Sequence, residues 1–294
     1  MTTAPVRSMR AVWAMLAAVG LFALMDAGLK QLTTHYPPLQ VASLRGAASL
    51  PFVLAWALAT VGVMPLLRVR WPLHLLRGVL GVTMMVSFVY AIGSLPLSTA
   101  YSIFFVAPLL ITALSVPFLR EKVGPRRWTA IAIGGVGVLV LLRPTGEGMA
   151  SLAALAVLLA ALMYAISAIT VRVLARTDST QSMMVWLMLM IAVGAGVLAI
   201  PGWVPLRADD GWLVLGVGIA GALGQYAITE AFRHGEASLI APLEYTALVW
   251  GVLLDATLWG VLPDRVTWLG AAIIVASGLY LLRRERVHAE AEHP

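Results

Sequence analysis

The sequence predicts an all-α membrane protein in which ten helices span the bilayer. Three observations predict this class: 61% of the 294 residues are hydrophobic, only 12% are charged, and the mean hydropathy is +0.91. An ordinary soluble domain carries about 25% charged residues. A soluble globule of this length could not cover its apolar side chains, so the composition indicates that the solvent is lipid.

Apolar runs of spanning length follow one another along the whole chain. A spanning helix needs about 20 mostly apolar residues. Runs of this kind predict spans at 10–32, 39–62, 72–92, 96–118, 126–143, 150–174, 180–201, 211–232, 238–260 and 265–282. The first run has no small-residue cleavage site, which predicts an uncleaved helix and not a signal peptide. The short loops exclude a soluble catalytic or nucleic-acid-binding domain.

The basic residues concentrate in alternate loops, which predicts the orientation of the chain. With the N-terminus inside, 15 of the 20 lysines and arginines fall on the cytoplasmic side, 4 fall outside, and Arg45 lies within a span. Cytoplasmic loops of membrane proteins carry such an excess. We therefore expect a bacterial inner-membrane protein with both termini cytoplasmic. The net charge of +6 is then explained by the basic cytoplasmic loops that orient the chain in the membrane, and no nucleic-acid partner is expected.

Several site chemistries are excluded by residue type and spacing. The chain has no cysteine, which excludes disulfides, thiolate metal sites and a cysteine nucleophile. Its five histidines are scattered without metal-ligand spacing. A glycine-rich phosphate loop is missing, so ATP is not an expected partner. The sequence predicts no enzyme, no metal and no cofactor.

The chain repeats itself, which predicts two related halves. The segment Ala107–Leu109 is answered by Ala241–Leu243, each reading Ala-Pro-Leu. With similar short matches in the same order, this predicts five-helix halves at residues 1–145 and 146–294. Because five is odd, the second half enters the membrane from the opposite side. Inverted repeats of this kind are typical of transporters, with a substrate site near the midplane between the halves.

The two repeated prolines are predicted hinges, and polar and aromatic side chains near them are predicted to bind substrate. Pro108 and Pro242 each remove a backbone hydrogen bond and open a kink. Aromatic rings with a few hydrogen-bonding groups suit an amphipathic small molecule. The candidates are Ser98, Tyr101, Ser102, Phe105, Tyr164, Gln225, Tyr245 and Trp250. The alternative is that the small and polar residues serve helix packing.

Four charges within the predicted spans are candidates for coupling: Asp26, Arg45, Glu244 and Asp255. Such charges usually face a cavity or a partner. Asp26 and Lys30 share a helix face and can pair. Glu244 and Asp255 lie about three turns apart on one face, where a carboxylate near the midplane could carry a proton. The alternative is that Asp26, Lys30 and Arg45 only fix packing and that both carboxylates lie in water near the span ends.

The sequence resembles the EamA-type ten-helix branch of the drug/metabolite transporter superfamily over nearly the whole chain. In the first half the resemblance rests on Pro96–Ala100, Ala107–Leu109, Leu119–Val123 and Arg127–Trp128. In the second half it rests on Ala241–Thr246, Trp259–Asp264 and Gly270–Ile274. One departure is Val261, which stands where the second repeat usually has a glutamate matching Glu121 of the first. The resemblance implies a basket-like bundle of two inverted five-helix repeats around a central cavity. It also implies secondary transport of small metabolites.

Within that branch the sequence is most similar to exporters of aromatic or a broad range of amino acids. We therefore expect a secondary transporter that exports amino acids by alternating access, with the lipid bilayer as its other partner. The alternative in the same class is a multidrug or cofactor permease. An intramembrane enzyme using Asp26 and Asp255 is a hypothesis from another class. A non-transporting scaffold would not need the polar stripe.

Overall fold

The computed structural model describes residues 4–119, 124–142, 152–234 and 241–292, which are almost entirely helical. In order, the α-helices are α1 (Ala4–Leu32), α2 (Pro38–Thr60), α3 (Val63–Leu67), α4 (Trp71–Ser94), α5 (Leu97–Phe104), α6 (Ala107–Leu119), α7 (Pro125–Leu142), α8 (Leu152–Leu174), α9 (Thr180–Ala199), α10 (Gly211–His234), α11 (Ala247–Leu258) and α12 (Arg265–Glu292). Short 3₁₀ helices occupy Ile200–Gly202, Ala208–Asp210 and Ala241–Thr246. These ranges contain no strand.

Helices occupy all ten of the predicted segments, and the all-helical membrane class is confirmed. Seven helical segments of the described chain are long and apolar enough to cross a membrane: Met9–Leu32, Pro38–Thr60, Trp71–Ser94, Leu97–Phe118, Leu152–Leu174, Thr180–Gly202 and Ala208–Ala231. Shorter apolar helices lie at Trp128–Val140 and Arg265–Tyr280. Ten crossings with inverted topology remain a prediction.

The fourth and ninth predicted spans are interrupted. Helix α5 ends at Phe104, and α6 begins at Ala107, after a turn of two residues. Pro108, in the first turn of α6, has no N–H to donate to the carbonyl one turn earlier, so the regular helix stops there. In the ninth span the 3₁₀ helix Ala241–Thr246 precedes α11. The first Ala-Pro-Leu segment therefore begins an α-helix, and the second begins the 3₁₀ helix that precedes α11.

The chain divides into two compact units that each take helices from both predicted halves. We call Leu24–Ser94 with Leu155–Ala222 the frame unit. The remainder, Met1–Ala23, Leu95–Ala154 and Leu223–Pro294, is the broken-helix unit, because it contains both interrupted spans. The units group residues by contact in space, whereas the predicted halves group them by sequence similarity, and those halves stay a prediction.

Small residues bring the helices of the frame unit into close contact. A Cβ added at Gly46 of α2 would lie 2.6 Å from the backbone nitrogen of Ala192 in α9. Beside it, the Ser43 hydroxyl donates to the carbonyl of Ala192 over 2.7 Å. A Cβ at Gly218 of α10 would lie 2.5 Å from the Ala48 carbonyl oxygen. Close backbone approach of this kind is how helices associate in a membrane.

The loop after α1 and the first turn of α2 are hydrogen-bonded to the segment before α10 within the frame unit. Gln40 donates from Nε2 to the Val204 carbonyl over 2.7 Å and accepts from the Val204 N–H over 2.9 Å. The Tyr36 hydroxyl donates to Asp210 over 2.7 Å. Burial, together with the hydrogen bond to Asp210, raises the pKa of Tyr36 above its ordinary value. These bonds fix the loop at this end of the unit.

A buried histidine–aspartate pair lies at the start of α4. His74 Nε2 lies 2.8 Å from an Asp178 carboxylate oxygen, and the two side chains are 1% and 2% exposed. The same oxygen accepts the Arg70 N–H over 3.1 Å, and the Thr177 hydroxyl donates to the other oxygen over 2.6 Å. Burial alone would raise the pKa of Asp178, but these hydrogen bonds lower it below its ordinary value. A fully bonded carboxylate therefore anchors α4 to the loop after α8.

The broken-helix unit is held by two apolar contacts. Helix α7 packs on α12, where a Cβ at Gly137 would lie 2.8 Å from Ile274 Cγ1. The first half of α1 forms a buried cluster with Ala231 of α10; its members on α1 are Ala11, Met15 and Val19. Trp250 of α11 packs against this cluster. The second interrupted span is thus attached to α1 through Trp250.

Candidate functional site

Asp255 of α11 caps the broken helix α5. Its side chain is fully buried. It accepts the Leu97 N–H over 2.9 Å, the Ser98 N–H over 2.8 Å and the Ser98 hydroxyl over 2.6 Å. Leu97 and Ser98 are the first residues of α5, whose N–H groups have no partner within the helix. A carboxylate at a helix N-terminus also interacts favourably with the helix dipole.

This arrangement corrects two interpretations of the ninth span. The interpretation that Asp255 lies in water near the span end is wrong, because its side chain is 0% exposed. Glu244 lies in the 3₁₀ helix before α11, so an uninterrupted α-helical spacing does not connect the two carboxylates. Val261, at the position where the resemblance leads us to expect a glutamate, is 40% exposed and donates its N–H to the Asp255 carbonyl over 3.0 Å.

The two serines proposed for substrate binding already have partners inside the protein. Ser98 and Ser102 are both 0% exposed. The Ser98 hydroxyl donates to Asp255, and the Ser102 hydroxyl donates to the Ser98 carbonyl over 2.7 Å. Their positions favour a structural role in α5. The helical spacing in the sequence places both serines on one face of the helix. It does not distinguish a face that packs on protein from a face that binds substrate.

The aromatic candidates of the broken-helix unit are brought together at the two interruptions. Phe105 lies in the turn between α5 and α6 and is 9% exposed. Its ring meets that of Tyr245, in the 3₁₀ helix, edge to face, with centroids 4.9 Å apart and an interplanar angle of 80°. Tyr101 is 7% exposed and packs on α11, where a Cβ at Gly251 would lie 2.9 Å from its Cδ2 atom.

The hydroxyl of Tyr245 is buried without a hydrogen-bond partner in the described chain. It sits against Gly278 of α12, where an added Cβ would overlap with it. An unsatisfied buried polar group destabilises a fold by about 1–3 kcal/mol. A group of this kind at a helix interruption marks a candidate ligand contact. Gly278, which sequence reasoning missed, is required because any side chain there would displace the tyrosine.

Two further polar candidates lie in the broken-helix unit without internal partners. Glu244 is half-buried and makes no hydrogen bond or ion pair within the described ranges. Gln225 is half-buried; its backbone carbonyl accepts the Thr229 hydroxyl over 2.8 Å. Trp250, by contrast, packs on α1, where a Cβ at Gly20 would lie 3.0 Å from its ring. Its position favours a role in packing.

Three of the remaining candidates, Tyr164, Asp26 and Arg45, belong to the frame unit. Tyr164 is 40% exposed on α8. Asp26 is buried on α1 and interacts electrostatically with Arg45 of α2. The Nε atom of Arg45 is buried without a hydrogen-bond partner. The pairing of Asp26 with Lys30 stays a prediction. Pro242 is a member of the 3₁₀ helix, and its role as a hinge, like that of Pro108, also stays a prediction.

Sequence reasoning missed the buried pair of His74 with Asp178. His74 stands at the start of α4 and looked like one of five scattered histidines. Its partner comes 104 residues later. Local periodicity carries no signal for a contact between two such distant segments. An ion pair also joins Arg10 and Glu230 at 3.6 Å, with Arg10 largely exposed.

A model of the EamA-like transporter family matches residues 9–143 and 151–283. The chain is 31% identical over 289 residues to a riboflavin transporter of Vibrio cholerae, covering 96% of this chain and 95% of that protein. It is 26% identical to a pseudopaline exporter of Pseudomonas aeruginosa, covering 90% and 93% of the two chains. It is 28% identical to an S-adenosylmethionine uptake transporter of Rickettsia conorii, covering 83% and 81%.

A solved crystal structure also resembles the fold. It matches with a TM-score of 0.64 and 21% identity, covering 94% of this chain and 99% of the other. At this identity the likeness concerns the fold alone. The three relatives above are transporters by name, and none of the three names refers to amino-acid export.

Proposed function

Because the chain belongs to the EamA-like transporter family, we propose that it is a secondary transporter for a cofactor-sized metabolite, with riboflavin as the first candidate. The relative named as a riboflavin transporter supports this, since the similarity extends over nearly the full length of both chains. Amino-acid export, the main expectation from the sequence, has no support from the relatives described above. We therefore replace the expectation of amino-acid export with the alternative from the sequence, a cofactor permease.

The observation that carries the proposal is the aromatic pair at the two helix interruptions. Phe105 and Tyr245 present ring surface, the Tyr245 hydroxyl is unpartnered among the described residues, and Glu244 is adjacent. A flat heteroaromatic metabolite combines ring surface with hydrogen-bonding atoms at its edge, and this residue set complements both. Interrupted membrane helices commonly mark the substrate sites of transporters.

We also propose the topology that the sequence predicts. The family model matches residues 9–143 and 151–283, which supports our proposal of two halves at 1–145 and 146–294. The distribution of basic residues supports ten spans in two inverted repeats, with both termini on the cytoplasmic side of a bacterial inner membrane. Pro108 and Pro242 would serve as hinges during alternating access. Glu244 is the better candidate for carrying a proton, since Asp255 is used as a cap.

Growth rescue tests the substrate. A bacterial strain that neither makes riboflavin nor imports it should grow at micromolar riboflavin when it expresses this chain. Gly216→Ala is the matched control variant, because a Cβ there meets nothing within 4 Å, and it should rescue equally. Absence of growth and of labelled riboflavin uptake, with the protein present in the membrane, would reject the proposal. Efflux of labelled amino acids by the same cells would restore the original expectation.

The absence of cysteine gives a direct test of orientation. Single cysteines are introduced at the exposed positions Thr34 and Arg68, which the charge pattern places outside and inside. A membrane-impermeant thiol reagent added to intact cells should label Thr34→Cys and leave Arg68→Cys unlabelled until the cells are opened. The reverse labelling pattern would invert the proposed topology.

A further inference from the structure

The short helix α3 presents apolar side chains to the surroundings at one end of the frame unit. Val63, Met64 and Leu67 are each more than half exposed. Of the five residues of this helix, only Leu66 is buried. Trp71, the first residue of α4, is also exposed. Because five residues cannot cross a bilayer, α3 adds apolar surface without adding a span, as elements at the membrane–water interface do.

Helix α3 is fixed to α9 through its backbone. The Ser182 hydroxyl of α9 donates to the Pro65 carbonyl over 2.8 Å, and the Trp186 indole N–H donates to the Leu66 carbonyl over 2.7 Å. The ring of Trp71 meets that of Trp186 edge to face, with centroids 4.5 Å apart. Because the two hydrogen bonds use carbonyl groups of α3, they hold the helix in place and leave its exposed side chains available to the membrane.

Three exposed arginines lie in the segments next to α3. Arg68 and Arg70 connect α3 to α4, and Arg176 follows α8. The two segments meet, because the Arg70 N–H donates over 3.1 Å to Asp178, which stands two residues after Arg176. Asp178 is the only acidic residue in 61–94 and 155–200, and its carboxylate is buried against His74. We call α3, Trp71 and the three arginines the basic surface.

The other end of the frame unit provides the contrast. It lies about 35 Å away, at the far end of the 23-residue helix α2. An exposed tryptophan, Trp203, is found there as well. At that end the charges of Lys30 and Arg207 are offset by those of Asp209 and Asp210. Of the two ends, therefore, the one with α3 combines apolar surface with an excess of positive charge.

We propose that the basic surface binds an anionic phospholipid of the surrounding membrane. Guanidinium groups match phosphate oxygens with paired donors, and each basic residue near a membrane surface strengthens the attraction of anionic lipid. The acyl chains of the same lipid cover the exposed apolar residues of α3. A free phosphate would satisfy the arginines alone, so the lipid is the occupant that uses the whole surface. The site lies on the frame unit alone and does not depend on the transported substrate.

Thermal unfolding with added lipid tests the proposal. The purified full chain in a neutral detergent at low salt receives phosphatidylglycerol, phosphatidylcholine or glycerol phosphate at the same concentration. Phosphatidylglycerol should raise the Tm of the wild type by about 3 °C or more above the value with phosphatidylcholine. Glycerol phosphate, which has the anionic headgroup without acyl chains, should leave the Tm unchanged.

Substitutions then locate the site. The triple variant Arg68→Gln, Arg70→Gln and Arg176→Gln should lose most of the gain from phosphatidylglycerol and keep the wild-type Tm in detergent alone. Arg68→Gln by itself should lose part of the gain, which keeps the test decisive if the triple variant does not fold. The matched control Arg207→Gln, an exposed arginine at the other end of the unit, should keep the whole gain. Equal gains in the wild type and the arginine variants, or an equal rise with glycerol phosphate, would overturn the proposal.

Discussion

The frame unit and the broken-helix unit differ in which buried polar atoms lack a hydrogen bond. Among the described residues these atoms are Nε of Arg45 and Arg77 in the frame unit and the Tyr245 hydroxyl in the broken-helix unit. In the frame unit the polar side chains that fix the loops are hydrogen-bonded, as in the pairs of Gln40 with Val204 and His74 with Asp178. In the broken-helix unit the Tyr245 hydroxyl has no partner among the described residues. Paired groups stabilise a fold, whereas unpaired ones destabilise it unless they meet a ligand. The Tyr245 hydroxyl lies in the 3₁₀ helix that interrupts a predicted span, which makes it the candidate for a substrate contact.

The same contrast occurs within one predicted span. Asp255 is fully buried and its carboxylate accepts three hydrogen bonds, so it holds α5 in place. Glu244 lies eleven positions earlier in the sequence, is half-buried and has no described partner. Residue type and location in a membrane segment are therefore not enough to assign a function. The partners of the carboxylate decide it.

Breaking the frame unit at Asp178 should have the largest effect on stability. Asp178→Ala leaves His74 and the Arg70 N–H without their acceptor. Each buried group left without its hydrogen-bond partner lowers the free energy of unfolding by about 1–3 kcal/mol. Asp178→Asn, which keeps one acceptor oxygen, should lose less. Thermal unfolding of the purified protein in detergent measures both, and a Tm for Asp178→Ala equal to the wild type would contradict the assignment.

The same residue predicts a pH dependence. The pKa of Asp178 is lowered in the folded protein, so the carboxylate stabilises the fold above its unfolded pKa of about 3.9. This contribution is lost as the pH falls through the lower folded pKa. When the pH is lowered below about 4, the Tm of the wild type should therefore decrease. The Tm of Asp178→Asn should decrease less steeply over the same pH range. Parallel pH profiles for the two proteins would contradict the prediction.

Removing the cap of α5 should have the next largest effect. Asp255→Ala leaves the N–H groups of Leu97 and Ser98 without partners, and we expect a loss of about 3 kcal/mol in unfolding free energy. Asp255→Asn should lose roughly half of that. Thr257→Ala on the exposed side of the same helix is the control and should change stability by less than about 0.5 kcal/mol. Equal Tm values for the alanine variants would exclude the capping role.

Overfilling the space beside Tyr245 should have a moderate effect. Gly278→Ala forces the tyrosine hydroxyl to move, and overpacking of this kind lowers stability by about 1–3 kcal/mol. Adding Tyr245→Phe removes the overlapping oxygen, so the double variant should recover most of the loss. A double-mutant cycle of unfolding free energies measures this coupling. Additive effects of the two substitutions would show that the two residues are not in contact.

Tyr245→Phe alone should have the smallest effect on stability and a clear effect on transport. Removing an unpartnered hydroxyl should leave the Tm unchanged or slightly raised. If that hydroxyl donates a hydrogen bond to the substrate, removing it should reduce the binding free energy by about 1.4 kcal/mol. This corresponds to a tenfold weaker affinity. Riboflavin uptake against concentration measures the change. A lowered Tm with unchanged affinity would instead assign the hydroxyl to the fold.

The sequence predicted the local features of the fold well and the partners of individual residues poorly. Apolar runs fix where helices form because burial in lipid depends on local composition. Pro108 indicated the interruption of the fourth span because a missing N–H acts within one turn. The pairing of Phe105 with Tyr245 and the cap by Asp255 each join residues from opposite halves of the chain. Such contacts depend on how helices pack, which periodicity does not specify.

Reconstitution tests the central claim most directly. The purified protein is inserted into liposomes loaded with unlabelled riboflavin, and the entry of labelled riboflavin by exchange is followed over time. Wild type and Gly216→Ala should exchange the label equally fast, and Tyr245→Phe should require about tenfold more riboflavin for the same rate. Liposomes with the folded wild type that take up no more label than empty liposomes would contradict the account.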